Sequence, residues 1–349
     1  MSTIIDVAER AGVSSATVSN VMTGKKWVSP ELTERVRRAM EELDYTPNVI
    51  ASGLRSSQTF IIGVVLPSFY HPYHASMLKG IQDVARSTRY TICSFPTSFD
   101  QNIEWKCLQQ LKSIMPDGIL LSSYLIPDSK EGEKCISMIE KFTDAGVPVI
   151  SLERNLDIIQ GVRSIYFNQE KAAKKVMEYL IGQGHTRIAH IGGTDGVDCS
   201  IRRKNEYLRS MAEHGLEVNP EWVEIGTYTS QTGYDAMKKF LQMEENITAV
   251  FCGNDEIAMG AIKAAKNKNM RIPEDIAIVG FDNINLSTLI EPSITTINVP
   301  SYEIGKIAME SLVDRLSNDE KEIRTIEVDT ALIKRGSTEA GKQVQWEFL

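Results

Sequence analysis

The stretch TIIDVAERAGVSSATVSNVM, residues 3–22, decides the fold of the N-terminal part of the chain. Its first half predicts a helix that begins after Thr3, because apolar side chains recur on one helical face at Ile4, Val7, Ala8 and Ala11. Its second half predicts a helix that Ser14 caps and whose buried face carries Val18, Val21 and Met22. Gly12 permits a tight turn between the two, so the stretch predicts a helix-turn-helix.

A third helix is predicted from Ser29 onward. Pro30 suits the first helical position, and one face then carries the apolar residues Leu32, Val36, Met40 and Leu43. Three helices of this kind can enclose a small core. The pattern by itself leaves open a generic three-helix bundle whose polar second helix is simply solvated.

The segment YTPNVIASGLRSS, residues 45–57, follows these helices. Asn48 can cap roughly two helical turns, which is far below the ~12–15 residues that an isolated helix needs. Gly53 weakens this short helix further. We expect the segment to be helical only when a partner or DNA supports it.

The composition is that of an ordinary globular protein. The 349 residues suggest two or three domains, and 42% hydrophobic with 24% charged residues excludes disordered, collagen-like and coiled-coil classes. The net charge is −8, and residues 1–57 carry seven basic and seven acidic side chains, so the negative charge lies in the remainder. An acidic body should repel the DNA backbone and orient the neutral N-terminal part toward it.

The sequence lacks the usual signals for export, membrane insertion and metal binding. Its N-terminus has no basic and apolar leader, and the longest apolar runs fall short of the ~20 residues that span a bilayer. We therefore expect a cytoplasmic protein without membrane contact. The five cysteines are scattered without a CxxC motif, and HPYH at 71–74 is more typical of a turn around Pro72 than of a metal pair. We expect no metal and no cofactor.

From residue 60 onward, short apolar runs alternate with amphipathic stretches, which is the rhythm of βα units on a parallel sheet. Strands are predicted in IIGVVLP, YTICSFP, GILLSS, PVISL, SIYFN, RIAHIGG, VEIGTY, AVFCGN and IAIVGFD. Open α/β sheets bind ligands beyond the carboxyl ends of their strands. The side chains expected at those ends are Tyr70, Tyr73, Ser122, Glu153, Arg203, Tyr228, Asn254 and Asp282. Aromatic faces with carboxylate and amide groups suit a polyhydroxylated ligand, because each hydroxyl both donates and accepts.

Taken in order, these motifs resemble the LacI/GalR family, the lactose and galactose repressor family of bacterial transcriptional regulators. The resemblance runs from TIIDVAERAGVSSATVSNVM through VSPELTERVRRAMEELDYTPN, a hinge with Ala51, Leu54 and Arg55, and IIGVVLPSFYHPY to the C-terminus. It implies an α/β fold with a helix-turn-helix head at 1–47, a hinge helix at 48–57 and a two-lobed, periplasmic-binding-protein-like core at 58–349. Parallel sheets flanked by helices would form the lobes, one from about 60–161 with 297–325 and one from about 162–296 with 326–341.

The resemblance assigns base reading to Ser15, Ala16 and Asn20, on the helix whose N-terminal part enters the major groove. Because asparagine pairs bidentately with adenine, we expect an A·T-bearing position opposite Asn20. Ser15 could instead only cap its helix, and Asn20 could contact a phosphate. The side chains suited to phosphate contacts are Thr3, Thr17, Ser19, the pair Lys25 and Lys26, and Asn48.

The hinge resembles the family's minor-groove element, in which Leu54 of each of two subunits wedges the central base step and bends the duplex. That action needs two copies of the chain. The resemblance therefore implies a homodimer bound to a pseudo-palindromic, double-stranded operator, because the two-fold symmetry of the protein is mirrored in the half-sites.

In the core, the resemblance assigns ligand clamping to Arg203, hydroxyl binding to Asn254 and Asp282, and stacking to Tyr228. Cys199 stands where other members often place a polar ligand contact, which argues against any familiar sugar. A ligand between the lobes would change their orientation and thereby the operator affinity. The first expectation is a small-molecule effector that is a carbohydrate or a sugar derivative. A nucleobase or nucleoside-like corepressor is the alternative.

Some of these side chains have a structural alternative. Asn254 and Asp282 could each cap the helix that follows them. Tyr70 and Tyr73 could be rim or dimer contacts, and Arg202 is a rival for the clamping position.

Two other classes of protein compete with a regulator. The Gly-rich IGGTDG is neither GxGxxG nor GxxxxGK[ST], and the sequence has no GxSxG, HExxH or EF-hand motif, so catalysis is not expected. A free solute-binding protein would share the core, but it does not explain the N-terminal helix-turn-helix. We therefore expect a DNA-binding transcriptional regulator, acting as a repressor, and not an enzyme.

Overall fold

The computed structural model describes residues 2–23, 26–45, 58–318 and 322–341. The chain divides into two compact units, Met1–Phe60 and Ile61–Leu349. The N-terminal unit has a hydrophobic core of its own, and the described residues of the larger unit include two further core clusters.

The N-terminal unit contains the three predicted helices, α1 Ile4–Ala11, α2 Ser15–Thr23 and α3 Pro30–Glu42. Thr3 caps α1 through a capping box: its hydroxyl accepts from the Asp6 N–H at 3.3 Å, and its own N–H donates to Asp6 Oδ2 at 2.7 Å. The Ser14 hydroxyl accepts from the Thr17 N–H at 3.1 Å, as expected for the start of α2. Local hydrogen bonds thus fix both helix starts.

The core of this unit is formed by the apolar faces that the sequence predicted. Its buried members are Val7, Ala8, Ala11, Val18, Val36 and Ala39. Arg35 on α3 donates from Nη2 to the carbonyl oxygen of Ala11 at 2.5 Å and so supplies a partner for a carbonyl in the last turn of α1. Burial of one face leaves the opposite face of α2 to solvent.

The larger unit alternates strands and helices along the chain. Its strands are β1 Ile61–Leu66, β2 Thr91–Pro96, β3 Gly118–Leu121, β4 Val149–Glu153, β5 Val162–Tyr166, β6 Ile188–Gly192, β7 Val223–Ile225, β8 Ala249–Cys252, β9 Ala277–Asp282, β10 Thr295–Asn298, β11 Ile326–Glu327 and β12 Ala331–Ile333. Its helices are α4 Pro72–Ala85, α5 Gln101–Ile114, α6 Lys130–Asp144, α7 Gln169–Gly182, α8 Asp198–Glu213, α9 Ser230–Phe240, α10 Asp255–Asn267, α11 Leu286–Leu289 and α12 Ser301–Ser317, with a short 3-10 turn at Pro220–Trp222.

These strands form two six-stranded sheets, each flanked by helices. The first sheet has the order β11-β5-β4-β3-β1-β2 and is entirely parallel, and the second has the order β12-β10-β9-β8-β6-β7. Only β12 runs antiparallel to its neighbour. The α/β class with two parallel-sheet lobes is therefore confirmed, and all nine strands expected from the sequence are present. The strands β10, β11 and β12, of four, two and three residues, were not expected.

The points at which the chain passes between the sheets lie later than the sequence suggested. The expected boundaries at about 162, 297 and 326 would place β5 and β11 with the second sheet and divide β10. In the structure β5 pairs with β4 and β11 pairs with β5 in the first sheet, whereas the whole of β10 belongs to the second. The crossings therefore fall between β5 and α7, between β10 and α12, and between β11 and β12. Composition does not reveal a strand's partner, which is why the boundaries need this correction.

The C-terminal helix α12 returns to the first sheet and packs against α4 by close backbone contact. A Cβ atom on Gly305 would overlap the carbonyl oxygen of Met77, and one on Gly80 would overlap that of Tyr302. Glycine at both positions lets the two helices approach more closely than side chains would allow. Within the described residues, no helix combines the length and the apolar character that would carry it across a bilayer.

Candidate functional site

The second helix of the N-terminal unit presents the side chains expected to read DNA. Ser15 and Ala16 are exposed, and Asn20 is half-buried at the edge of the same helix. The Ser14 hydroxyl caps α2, so the alternative in which Ser15 is only the cap does not apply. The Thr17 hydroxyl lies 2.9 Å from that of Ser14 and so belongs to the cap region.

The expected phosphate contacts are only partly described. Thr3 uses its hydroxyl within the cap, because Oγ1 donates to Asp6 Oδ2 at 2.9 Å, and Ser19 is half-buried on α2. Lys26 is exposed beyond the end of α2. The predictions that concern Lys25, Asn48, Ala51, Leu54 and Arg55 lie outside the described residues.

A cavity of about 390 Å³ lies between the carboxyl ends of the two sheets. Such a volume falls in the range of small-ligand sites. The structure brings seven of the predicted effector residues to its wall: Tyr73, Glu153, Cys199, Arg203, Tyr228, Asn254 and Asp282.

Arg203 on α8 is the buried cation of the cavity. Its side chain is held from three directions: Nε donates to Gln169 Oε1 at 2.9 Å, Nη1 donates to the carbonyl oxygen of Gly253, and the guanidinium lies over the Phe281 ring. Arg202 is instead half-exposed and pairs with Asp198 and Glu170 of its own lobe. Of the two adjacent arginines, Arg203 is therefore the one fixed inside the cavity.

Asn254 and Asp282 follow β8 and β9 and lie beside Arg203 on the cavity wall. Asn254 caps α10, because Oδ1 accepts from the Ile257 N–H at 2.8 Å, while its amide nitrogen faces His71 Nε2 at 3.3 Å. Asp282 does not cap the next helix, whose N-cap residue is Asn285. Capping thus occupies the Asn254 oxygen and leaves Asp282 free for another role.

Burial raises the pKa of Asp282 well above its ordinary value, and the positive charge of Arg203 opposes that rise only in part. A carboxyl group with a raised pKa keeps its proton more readily and can then donate as well as accept a hydrogen bond. Asp282 also has a φ angle of 102°, which an aspartate rarely adopts. A strained backbone is often found at a functional position.

Glu153 is the second acid of the cavity, at the end of β4. It accepts a hydrogen bond from the Ser122 hydroxyl, and His74 Nε2 lies 3.7 Å from its Oε1 atom. Burial alone would raise its pKa, but His74 and Ser122 outweigh burial, so the pKa of Glu153 is lowered. Glu153 therefore supplies a negative charge to the lobe formed by the first sheet. Ser122 is fully buried and does not line the cavity, so it can act only through Glu153.

Cys199 and Tyr228 form one corner of the cavity. The Cys199 sulfur lies 3.1 Å from the Tyr228 hydroxyl. Burial raises the pKa of the Cys199 thiol, which keeps it in the less reactive neutral form. Tyr228 presents its ring and its hydroxyl to the same space.

Tyr70 lies outside the cavity. Its side chain is 97% exposed, because the Ser68 hydroxyl accepts from the N–H groups of both Tyr70 and His71 and turns the chain there. Pro72 is the first residue of α4, so a helix begins where the sequence predicted a turn. The end of the apolar run could be predicted from the sequence, whereas the direction of each side chain that follows it could not.

The sequence reasoning missed several residues that line the cavity, namely His71, His74, Phe99, Tyr124, Arg154, Gln169 and Asp198. The motif HPYH contains His71 and His74, but it predicted a turn around Pro72, with a metal pair as the weaker alternative. Within the described ranges, no group of three or more His, Cys, Asp or Glu residues is placed to hold a metal ion. Phe99 and Tyr124 come from loops after β2 and β3, where an aromatic residue has no distinctive spacing.

Comparison with known proteins agrees with this architecture. Residues 3–48 match the family model described as bacterial regulatory proteins, lacI family, and residues 177–338 match that of a periplasmic binding protein-like domain. A helix-turn-helix unit and a two-sheet core with a ligand-sized cleft define a transcriptional regulator of bacterial type. The chain belongs to the LacI family.

Similar proteins support the assignment over the full length. Catabolite control protein A of Priestia megaterium is 32% identical, over 96% of this chain and 99% of that protein. The HTH-type transcriptional repressor PurR of Aliivibrio salmonicida is also 32% identical, over 97% of this chain and 99% of the relative. The lac repressor dimer, solved with operator and the anti-inducer ONPF, has the same fold, with a TM-score of 0.83, 24% identity and coverage of 97% of this chain and 99% of its own. These relatives are transcriptional regulators and not enzymes.

Proposed function

We propose that the chain is a transcriptional repressor that binds a pseudo-palindromic operator as a homodimer in the cytoplasm. Its operator affinity is set by a small effector, a sugar or sugar derivative, bound between the lobes. The observation that carries the proposal is the cavity itself, where the buried Arg203 lies beside Asn254 and Asp282 in a chain that also carries a helix-turn-helix.

The polar groups around Arg203 favour a polyhydroxylated ligand. The guanidinium offers donors, the Asn254 amide offers a donor, and Asp282 and Glu153 offer carboxyl oxygens. Each hydroxyl of a sugar can therefore donate to one group and accept from another. Tyr228 adds an aromatic face for the apolar side of a sugar ring.

A cluster of rings favours a planar, nucleobase-like effector as the second candidate. Tyr73 lies 5.1 Å from His74, His74 lies 5.8 Å from Phe99, and Phe99 lies 5.1 Å from Tyr124, all between ring centroids. Phe99 is held there with a φ angle of 60°, a left-handed conformation that costs about 1–2 kcal/mol. A ring held at such a cost suits contact with a flat ligand.

The DNA-binding half of the proposal rests on α2. Ser15 and Ala16 are exposed at its N-terminal end, where a recognition helix contacts base edges, and Asn20 lies one turn further along. Lys26 would contact a phosphate. The lac repressor, which shares the fold, is a dimer on its operator, and this supports the homodimer proposed here.

The proposed domain organisation makes the effector an allosteric ligand. The head would comprise 1–47, the hinge helix 48–57 and the core 58–349, with the lobes joined at the three crossings described above. Effector and operator would act on each other through lobe orientation, with a coupling of about 1–3 kcal/mol, or roughly 5–150-fold in affinity. The same factor must then describe the effect of operator on effector binding.

Two experiments test the proposal. Selection from a random library of double-stranded DNA with the full-length chain should yield a pseudo-palindromic sequence. Deletion of residues 1–57 should abolish the retention of this DNA in a gel. A thermal-shift screen of sugars, sugar phosphates, nucleobases and nucleosides should then give a hit that is lost in both Arg203→Ala and Asp282→Ala. Selection without sequence enrichment would refute operator binding, and a hit that survives both substitutions would refute the cleft as its site.

A further inference from the structure

The mouth of the cleft is crossed by an ion pair between the two lobes. Arg154 follows β4 of the first sheet, and Asp198 begins α8, which follows β6 of the second. Arg154 Nε lies 3.6 Å from Asp198 Oδ2, and both side chains line the cavity. A contact of this kind can form only when the two lobes are close together.

Each partner of this pair is anchored in its own lobe. Arg154 Nη1 donates to the carbonyl oxygen of Leu125 at 2.6 Å, within the first lobe. Asp198 Oδ2 accepts from Arg202 Nε at 2.8 Å, within α8. The exposed fractions of the Arg154 and Asp198 side chains are 17% and 26%, so solvent screens the pair less than it screens an ordinary surface pair. Anchored side chains also lose little further conformational freedom when the lobes close.

A second contact crosses the cleft on another wall of the cavity. His71 precedes α4 of the first lobe, and its Nε2 atom accepts from the Asn254 amide of the second lobe at 3.3 Å. Burial lowers the pKa of His71 to about 4, so the ring is neutral near pH 7 and can accept this bond. Glu256 Oε1 lies 3.8 Å from the same nitrogen.

We propose that Arg154–Asp198 and His71–Asn254 form a latch that holds the cleft closed in the absence of an effector. The regulatory meaning of the latch rests on the proposed effector cleft, because the latch sets how much of the protein is already closed when the effector arrives. A large closed population raises the apparent affinity of an effector that prefers the closed state. The effector also displaces His71 if it binds to the Asn254 amide, so part of the latch is exchanged for ligand contacts.

Lobe distance in the free protein tests this directly. Dyes can be attached through encoded unnatural residues at the exposed Glu140 and Lys268, one in each lobe, with labelled chain diluted into unlabelled chain. Fluorescence transfer then reports the ratio of open to closed protein without DNA or effector. Failure of the latch would therefore be distinguishable from failure of the proposed function, which is measured with DNA and ligand.

Substitutions define the expected result. Arg154→Ala and Asp198→Asn should each raise the open-to-closed ratio about two- to fivefold, and the double variant should open no further than the single ones. Lys239→Ala is the matched control, since Lys239 pairs with Glu224 within one lobe, away from the cavity, and should leave the ratio unchanged. The effects of His71→Ala and Arg154→Ala on the free energy of opening should be additive.

Salt provides a readout that does not depend on a substitution. Raising the salt concentration should open the wild-type cleft and have a smaller effect on Arg154→Ala, because only the former has the ion pair to screen. The proposal is overturned if Arg154→Ala and Asp198→Asn leave the ratio unchanged, if their effects are independent of each other, or if Lys239→Ala opens the cleft equally.

Discussion

The guanidinium group of Arg203 lies 3.6 Å from the centre of the Phe281 ring. Phe281 belongs to β9, and its ring in turn lies 6.2 Å from that of Phe167, at the crossing between β5 and α7. Gln169, at the start of α7, accepts from Arg203 Nε. The buried cation of the cleft thus contacts a segment that joins the lobes, and we expect a ligand that binds Arg203 to act on that crossing.

We expect effector affinity to depend on Arg203 and not on the neighbouring Arg202. Arg203→Ala should weaken the binding of a ligand from the screen by about 1.5–3 kcal/mol, because the substitution removes charged hydrogen bonds in a buried site. Arg203→Lys should also weaken it, since lysine lacks the planar fork that stacks on Phe281. Calorimetric titration measures both. Arg202→Ala is the control, and an equal loss in that variant would contradict the assignment.

We expect Asn20 to determine part of the preference for the operator sequence. Asn20→Ala should relax the preference at one base position per half-site by about 1–3 kcal/mol and leave the other positions unchanged. Lys26→Ala should weaken binding to all sequences alike and reduce the salt dependence. A saturation scan of the selected operator by fluorescence anisotropy separates these outcomes. An unaltered preference at every position in Asn20→Ala would rule out direct reading by this side chain.

Glu104 predicts a pH dependence of stability. It is fully buried on α5, where its carboxylate oxygens accept from the Ser123 hydroxyl at 2.5 Å and the Tyr124 N–H at 3.2 Å, and burial raises its pKa from 4.5 to about 7. The folded state therefore binds the proton more tightly than the unfolded state. The stability that this provides is present below about pH 4.5 and is lost as the pH rises through about 7.

Urea unfolding of wild type and Glu104→Gln at pH 5 and pH 7.5 measures this effect. The free energy of unfolding of wild type, relative to the variant, should fall by up to about 3 kcal/mol between the two conditions. Glu133→Gln, at an exposed position on α6, is the matched control and should show no such trend. A constant difference between wild type and Glu104→Gln would show that Glu104 does not titrate in this interval.

Because α4 packs closely on α12, we expect the substitution of two different glycines by alanine to have different effects on stability. Gly305→Ala should destabilise the core by about 1–3 kcal/mol, because its methyl group would overlap the Met77 carbonyl. Gly182→Ala, in the last position of α7 with no neighbour within 4 Å, should be neutral or stabilising by up to about 1 kcal/mol. Thermal unfolding measures both, and equal effects would argue against the close contact.

Much of this architecture could be predicted from the sequence, because it depends on local patterns. The caps at Thr3 and Ser14 and the nine expected strands are each encoded by residues that are close together in the sequence. Strand partners are not, so β5 was expected in the wrong lobe. The cleft was predicted through residues at strand ends, but a strand end does not fix the direction of a side chain. That is why Tyr70 was expected in the cavity, whereas Arg154 and Asp198, which meet only in three dimensions, were missed.

We expect a ligand in the cleft to control DNA binding by the head. Operator binding by full-length wild type and Arg203→Ala, measured by anisotropy with and without the screened ligand, shows whether it does. The ligand should change the operator affinity of wild type roughly 5–150-fold. Arg203→Ala should bind operator normally without ligand and lose this response. Unchanged operator affinity in ligand-saturated wild type, or a wild-type response in Arg203→Ala, would refute control of the head by a ligand at Arg203.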